Sequence, residues 1–175
     1  MNSISDLKEK VLTAVNSFLK EKQSKFLVHH VHEQSISHRI AIYLESLFTE
    51  YHVDCEYNKH GNVIENMEKL LGDVRNIRSE CGCSGCEEWL RSHKKTKDVR
   101  VRPDIIVHKN RGSGGAGNVL VMEIKKNSRC SFDQGKLKTL TDKLGDYKYK
   151  LGVFLCFYKG EPRYRWFIDG AERHI

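Results

Sequence analysis

Hydrophobic residues recur at helical spacing in the first third of the chain. Between residues 6 and 20, apolar side chains return every three or four positions with lysines opposite them, which predicts an amphipathic helix packed on a core. The segment 31–52 repeats the pattern more strongly, with Ile36 and Leu44 on its buried side. Glu33 lies three residues before Ile36, so a carboxylate falls in line with the core face. The helix dipole alone would also favour an acid there.

The rest of the chain alternates between runs typical of strands and of helices. We predict helices over 63–80 and in the middle of 131–149, about 136–144, and strands over 52–59, 102–108, 118–126, 151–159 and 161–169. The run "LGVFLCFYK" is nearly all apolar, as in a strand buried on both faces. This order predicts the α/β class, with a central mixed β-sheet flanked by helices. A length of 175 residues predicts a single domain.

Charged residues interrupt two of the apolar runs: "RPDIIVH" contains Asp104, and "NVLVMEIKK" contains Glu123 and Lys125. Because side chains alternate across a strand, every second residue from Val119 to Lys125 shares one face, so Glu123 and Lys125 project together. If the two strands pair across the glycine-rich loop between them, Asp104 lies close to Glu123. Two half-buried carboxylates repel each other and lose hydration, and a divalent cation relieves both penalties.

Such a site suits phosphodiester hydrolysis. Two carboxylates hold Mg²⁺ through a few oxygen contacts and leave its other positions to water and a substrate phosphate. The metal polarises the phosphate and activates the attacking water, while a neighbouring lysine stabilises the developing negative charge. A structural salt bridge is the alternative for an isolated Glu-x-Lys, because such tripeptides are common. The upstream Pro-Asp pair and the aligned Glu33 favour the metal site.

The dipeptide "PD" at 103–104 and the tripeptide "EIK" at 123–125 resemble the signature of the PD-(D/E)XK nuclease superfamily, which has a restriction-endonuclease-like fold. Glu33 resembles the acidic residue that many members carry on the helix before the sheet. The resemblance extends over most of the chain, and it is greatest to small stand-alone members from bacteria and phages. The motif is short, so its specificity rests on its placement on adjacent strands.

The resemblance implies a metal-dependent endonuclease that uses Mg²⁺ or Mn²⁺ to hydrolyse DNA phosphodiester bonds. Asp104 and Glu123 would then be metal ligands, with the backbone carbonyl of Ile124 as a candidate third ligand. Lys125 would be the catalytic lysine, and Glu33 would bind a second metal ion or a water on it. The alternative is a catalytically inactive nucleic-acid-binding or complex-forming module of the same fold, and a nuclease acting on RNA is a third hypothesis.

A second candidate metal site lies in the sequence "CGCSGC", which holds Cys81, Cys83 and Cys86. The glycines between the cysteines let the chain wrap around one ion, as a structural zinc requires. Free thiols on a turn, or a redox-sensitive loop, are the alternative. These cysteines lie in an expected insertion, at about 62–99, within a single nuclease-like domain of 1–175. The fourth zinc ligand is open among His93, Cys55, His60 and Cys130.

Basic residues outnumber acidic ones by 30 to 23, which gives a net charge of +7 and favours a polyanionic partner. The basic residues directly before the "PD" strand are candidate contacts to such a partner, and a solvated charged loop is the alternative interpretation of them. Should both strands of a duplex be cut, a homodimer would supply the second site. No apolar stretch suits a signal peptide or a membrane span, so we expect a cytoplasmic protein with no membrane partner. The candidate nucleic-acid contacts are Lys94, Lys95, Lys97, Arg100 and Arg102.

Overall fold

Six strands and five helices make up the described part of the fold. The computed structural model describes residues 3–21, 32–55, 74–92, 103–109 and 117–175. In chain order its elements are α1 (Ile4–Lys20), α2 (Glu33–Leu47), β1 (His52–Cys55), α3 (Val74–Cys81), α4 (Ser84–Ser92), β2 (Ile105–His108), β3 (Asn118–Lys126), α5 (Ser131–Thr141), β4 (Leu151–Tyr158), β5 (Glu161–Ile168) and β6 (Ala171–Arg173).

The strands lie in the sheet in the same order as in the chain, from β1 to β6. Neighbouring strands pair antiparallel, except that β3 and β4 are parallel. A parallel pair needs a crossover connection, and α5 provides it. The predicted α/β class, with a mixed sheet flanked by helices, is therefore confirmed.

The first two helices cover one face of the sheet. The hydroxyl of Ser3 accepts the Asp6 N–H at 3.1 Å and so caps the start of α1. The apolar stripes predicted for both helices are buried, and they pack with Leu120, Met122 and Ile124 of β3 in one core cluster. This core is the larger of the two and holds the α1–α2 pair against the sheet.

Helix α5 covers the opposite face, where Val121, Phe154 and Phe167 form a second core cluster with its apolar side chains. Glu123 is buried on this face too, with 1% of its surface exposed. The face of the sheet that carries the charged side chains of β3 therefore lies beneath α5. Side chains of this helix surround those charges.

Four local features differ from the sequence prediction. Helix α5 begins at residue 131 rather than 136, because Phe132 also packs on the second core. The short helix α4 and the edge strand β6 were not predicted. The pairing of β2 with β3 shifts between Val107 and His108. Val119 is therefore the extra residue of a bulge, and it packs in the first core cluster instead of sharing a face with Glu123.

The predicted segments reach beyond the described residues in places. Of the helix expected over 63–80, the structure describes 74–81, and of the strand expected over 52–59 it describes 52–55. In the part of the chain that is described, no helix combines the length and the apolarity that crossing a membrane would require.

Two glycines give a matched test of this packing. A Cβ on Gly152 would lie 2.9 Å from the Thr141 Cγ2 and 3.1 Å from the Phe167 Cβ, so Gly152→Ala should destabilise the fold by about 1–3 kcal/mol. A Cβ on Gly135, inside α5, would meet no heavy atom within 4 Å. Gly135→Ala should therefore stabilise by about 0.5–1 kcal/mol through helix propensity. Urea denaturation measures both changes, and equal effects of the two substitutions would contradict the packing.

Candidate active site

Two carboxylates meet where β2 begins and β3 nears its end. The register pairs Ile105 with Met122, so Asp104 lies directly opposite Glu123. The Asp104 N–H donates to the Met122 carbonyl at 3.1 Å, and the Asp104 Oδ2 accepts the Ile124 N–H at 2.6 Å. Opposite residues of an antiparallel pair project from the same face, and both side chains line one cavity of about 360 Å³. The strand pairing thus brings these two carboxylates together.

Two lysines and two further carboxylates, Glu33 and Asp133, extend from Glu123 as a chain of ion pairs in this cavity. The Lys125 Nζ lies 3.1 Å from the Glu33 Oε2 and 3.3 Å from the Asp133 Oδ2. The Lys136 Nζ lies 2.8 Å from the Glu123 Oε1 and also 2.8 Å from the Asp133 Oδ1. Asp133 therefore bridges both ammonium groups, one with each oxygen.

Glu33 attaches the start of α2 to the end of β3. Its Oε2 accepts a hydrogen bond from the Lys125 Nζ, and its Oε1 accepts the backbone N–H of Lys126 at 2.9 Å. Glu33 occupies the first turn of α2, where the helix dipole favours a carboxylate. In this arrangement its side chain holds the lysine of the "EIK" motif in place.

Burial dominates the electrostatics of the two opposed carboxylates. It raises the pKa of Glu123 well above the usual range, and Lys136 offsets only part of this effect while Asp133 and Asp104 add to it. Burial likewise raises the pKa of Asp104, against the attraction of Lys125 and the hydrogen bond from Ile124. Both groups therefore hold a proton more firmly than exposed carboxylates, and a bound cation would favour their ionised forms.

Three other charged groups of the site, Lys125, Lys136 and Asp133, respond mainly to their neighbours. Burial would lower the pKa of Lys125 and of Lys136, but the surrounding carboxylates outweigh it and raise both pKa values. Burial would raise the pKa of Asp133, yet the two ammonium groups lower it. The lysines therefore stay charged at neutral pH, so they can act as cations but not as general bases.

Four cysteines converge beside the same cavity. Cys81 ends α3, Cys83 and Cys86 follow at the start of α4, and Cys130 directly precedes α5. Their sulfur atoms all lie within 4.8 Å of one another, with Cys130 Sγ 3.7 Å from Cys81 Sγ and 3.8 Å from Cys86 Sγ. Gly82 adopts a φ of 62°, which lets the chain reverse between two of the cysteines. The four sulfurs can hold a metal ion.

The thiol environments differ within the cluster. Burial raises the pKa of Cys86 to about 12 and also raises that of Cys130. At Cys81 burial acts in the same direction, but hydrogen bonds involving Ser131, Phe132 and Cys83 lower the pKa to about 6. A metal ion would favour the thiolate form of all four residues, as metal binding generally does.

Helix α5 joins the cysteine cluster to the ion pairs. Cys130 is its N-cap residue but makes no side-chain capping hydrogen bond, so the sulfur remains directed to the cluster. Asp133 and Lys136 follow in the first two turns of the helix. The start of α5 therefore places Cys130 in the cluster and also positions Asp133 and Lys136, which pair with Lys125 and Glu123.

The sequence analysis missed Asp133 and Lys136, although a signal for both was present. They interrupt the apolar face of α5 formed by Phe132, Leu137 and Leu140, just as charges interrupt the strands "RPDIIVH" and "NVLVMEIKK". A helix predicted to begin at residue 136 left Asp133 in a loop, so this pattern was not visible.

Some predicted residues lie elsewhere or outside the described residues. Cys55 packs against the first core cluster, on the other face of the sheet from the sulfurs, and Cys130 is the fourth cysteine of the cluster. The remaining ones fall outside the described ranges: His60, His93, Lys94, Lys95, Lys97, Arg100 and Arg102.

Comparison of the chain with profiles of known protein families, with curated proteins and with solved structures gives no match in any of the three. The function must therefore be argued from the geometry of the site itself.

Removal of one buried charge tests the ion-pair chain. Lys136→Met should lower the free energy of unfolding by about 3–5 kcal/mol, because Glu123 would remain as a buried carboxylate without its ammonium partner. Urea denaturation in buffer without divalent cations measures the change, with Lys143→Met at an exposed position as the control.

The double variant Glu123→Gln/Lys136→Met should lose less stability than Lys136→Met alone, because it leaves no uncompensated carboxylate. A loss below about 1 kcal/mol for Lys136→Met would contradict the pairing, since removal of one partner of a buried pair costs several times more.

Proposed function

We propose that this chain is a metal-dependent endonuclease with a restriction-endonuclease-like fold, which hydrolyses DNA phosphodiester bonds. The observation that carries the proposal is the placement of Asp104, directly before β2, opposite Glu123 of β3, with Lys125 in the same cavity. The mixed sheet with helices on both faces is compatible with that fold. The net charge of +7 suits a polyanionic substrate.

The donor set suits Mg²⁺ or Mn²⁺. Carboxylate oxygens are the ligands that these cations prefer, and Asp104 and Glu123 would hold the ion, with the Ile124 carbonyl as the candidate third ligand. The raised pKa values of both carboxylates reflect burial first, and at Glu123 also repulsion by Asp133 and Asp104. A cation bound between Asp104 and Glu123 would favour the ionised form of both. When bound, the ion would polarise the scissile phosphate and lower the pKa of a water molecule.

Lys125 would supply a fixed positive charge beside the scissile phosphate. Its ammonium group is held by Glu33 and Asp133, so it is oriented before the substrate binds, which is the condition for strong electrostatic stabilisation. Glu33 has both oxygens engaged in this arrangement. To bind a second metal ion, as the resemblance implies, Glu33 would have to release Lys125. We therefore propose that Glu33 positions Lys125.

We also propose that the four cysteines bind a structural Zn²⁺. A tetrahedral ion with Zn–S bonds of about 2.3 Å separates its sulfur ligands by about 3.8 Å. Cys130 lies 3.7 Å from one cluster sulfur and 3.8 Å from another, which matches that spacing. Four protein ligands leave no open position, so this ion would stabilise the structure and take no part in the chemistry.

The nuclease proposal predicts loss of cleavage on removal of single charges. Lys125→Met and Glu123→Gln should each lower the rate of DNA cleavage by about 10²–10³-fold, because each removes electrostatic stabilisation of the transition state. Plasmid, single-stranded DNA and RNA are incubated with the pure protein in Mg²⁺ or Mn²⁺ and in chelator. Lys143→Met serves as the control, and circular dichroism confirms that each variant is folded.

Two outcomes would contradict this proposal. Wild-type protein that leaves every substrate intact in both metals is not a nuclease. DNA retention that needs no metal and survives Lys125→Met would, together with absent cleavage, support the inactive binding module.

The zinc proposal predicts one zinc ion per chain in protein purified without added metal, measured by inductively coupled plasma mass spectrometry. Cys130→Ser should lose most of this zinc and unfold at a lower temperature, because metal binding contributes directly to folding. Cys55→Ser, which alters a cysteine outside the cluster, should retain it. A wild-type chain without zinc, or a Cys130→Ser variant with an unchanged zinc content, would refute the proposal.

A further inference from the structure

A second, larger cavity lies beside the candidate active site on the same face of the sheet. Its volume is about 750 Å³, which is within the range of pockets that enclose small ligands. Phe154, Cys156 and Tyr158 alternate along β4 and so form its floor. Ser128 lines both cavities, so a polymer that reaches one can continue into the other.

The rim between the two cavities is fixed by hydrogen bonds. Asn127 adopts a φ of 56°, its N–H donates to the Phe157 carbonyl at 2.8 Å, and its Oδ1 accepts the Lys159 N–H at 2.9 Å. The Cys156 thiol donates to the Ser128 carbonyl at 3.1 Å. The groove is therefore built into the end of the sheet.

The charged residues that line this groove are all basic. Arg129, Arg163 and Arg165 line it, and no carboxylate does so within the described residues. Arg165 is engaged by Glu172 and Gln134. Arg129 and Arg163 are exposed, and in the described part of the chain neither forms an ion pair with a carboxylate. Two guanidinium groups thus remain available to an anion.

An exposed aromatic ring lies among these arginines. Tyr158 has 40% of its surface exposed, and the Arg163 guanidinium carbon lies 4.5 Å from the centre of its ring. A base can stack on an aromatic ring only when it is not already stacked in a duplex, so a ring beside guanidinium groups is characteristic of surfaces that bind single strands.

We propose that this groove binds an unpaired segment of the substrate next to the scissile phosphate. Arg163 leaves the Tyr158 ring and contacts the phosphates of this segment together with Arg129, and a base stacks on the ring in place of the guanidinium group. The assignment rests on the proposed nuclease function of the neighbouring site, because Ser128 leads from one cavity to the other. It specifies the substrate as nucleic acid with a single-stranded region, such as a flap, a fork or a free strand.

Fluorescence anisotropy tests this assignment without cleavage. A labelled single-stranded oligonucleotide and the matching duplex are titrated with protein in buffer without divalent cations. Wild type should bind the single strand more tightly than the duplex. Tyr158→Leu should weaken single-strand binding by about 5- to 100-fold through lost stacking, and Tyr158→Phe should retain wild-type affinity.

Salt dependence tests the arginines. Arg129→Ala/Arg163→Ala should reduce the slope of log affinity against log salt concentration by about 1.4, because each phosphate contact with a single strand contributes about 0.7. The matched control is Arg173→Ala. Arg173 is exposed and pairs with Trp166, whose side chain packs on the opposite face of the sheet, so this control should bind as wild type does.

The outcomes separate this assignment from the nuclease proposal. If the Tyr158 and arginine variants bind like Arg173→Ala, or if the duplex binds as tightly as the single strand, the groove assignment is wrong even where wild type cleaves DNA. If the variants lose single-strand affinity as expected but wild type cleaves nothing, the groove binds a single strand as assigned, but the nuclease proposal fails and with it the place of that strand next to a scissile phosphate.

Discussion

Contact between buried opposite charges is the constraint on which the site depends. Asp133 touches the ammonium groups of both Lys125 and Lys136, and Lys136 in turn touches Glu123, which is almost wholly buried. Each of these charges would be costly to bury alone, and each is tolerated because the next one lies within about 3 Å. These charged groups are therefore stable in the interior only when all of them are buried together, and their contacts fix the position of each side chain. Such fixed charges are what electrostatic catalysis requires.

The cysteine cluster and the ion pairs are connected through one helix. Both depend on the first turn of α5, where Cys130 faces the sulfurs and Asp133 faces the lysines. Arg78 extends the connection, since its guanidinium group donates to the Cys86 sulfur and lies 3.9 Å from the ring centre of Phe132. A metal ion in the cluster would hold the helix end that carries the charges. The proposed zinc would in this way support the chemistry without taking part in it.

The site residues that interrupt a regular run of apolar residues could be predicted from the sequence. Asp104 and Glu123 break apolar strands, and the strand pairing that joins them followed from the intervening glycine-rich loop. The arrangement of Asp133 and Lys136 was not predicted, because it depends on the helix start, and helix ends shift with tertiary contacts that local patterns do not record. The bulge at Val119 and the short strand β6 were not predicted either, because they too depend on tertiary contacts. The choice of Cys130 as the fourth cysteine required the fold, since Cys81 and Cys130 lie 49 residues apart in the chain.

The order of the strands has a consequence for assembly. The pairings of β2 with β3, β4 with β5 and β5 with β6 join strands that follow each other closely in the chain, so this part of the sheet can form by closing short loops, which is the less costly way to order a chain. Two contacts of the site span much longer separations: Glu33 to Lys125 across 92 residues and Cys81 to Cys130 across 49. Glu33 restrains Lys125, and Cys81 restrains the start of α5 through Cys130. A chain with a complete sheet but undocked partners would have both motif strands in place and still lack an ordered set of charges, so the proposed hydrolytic activity would appear only when folding is finished.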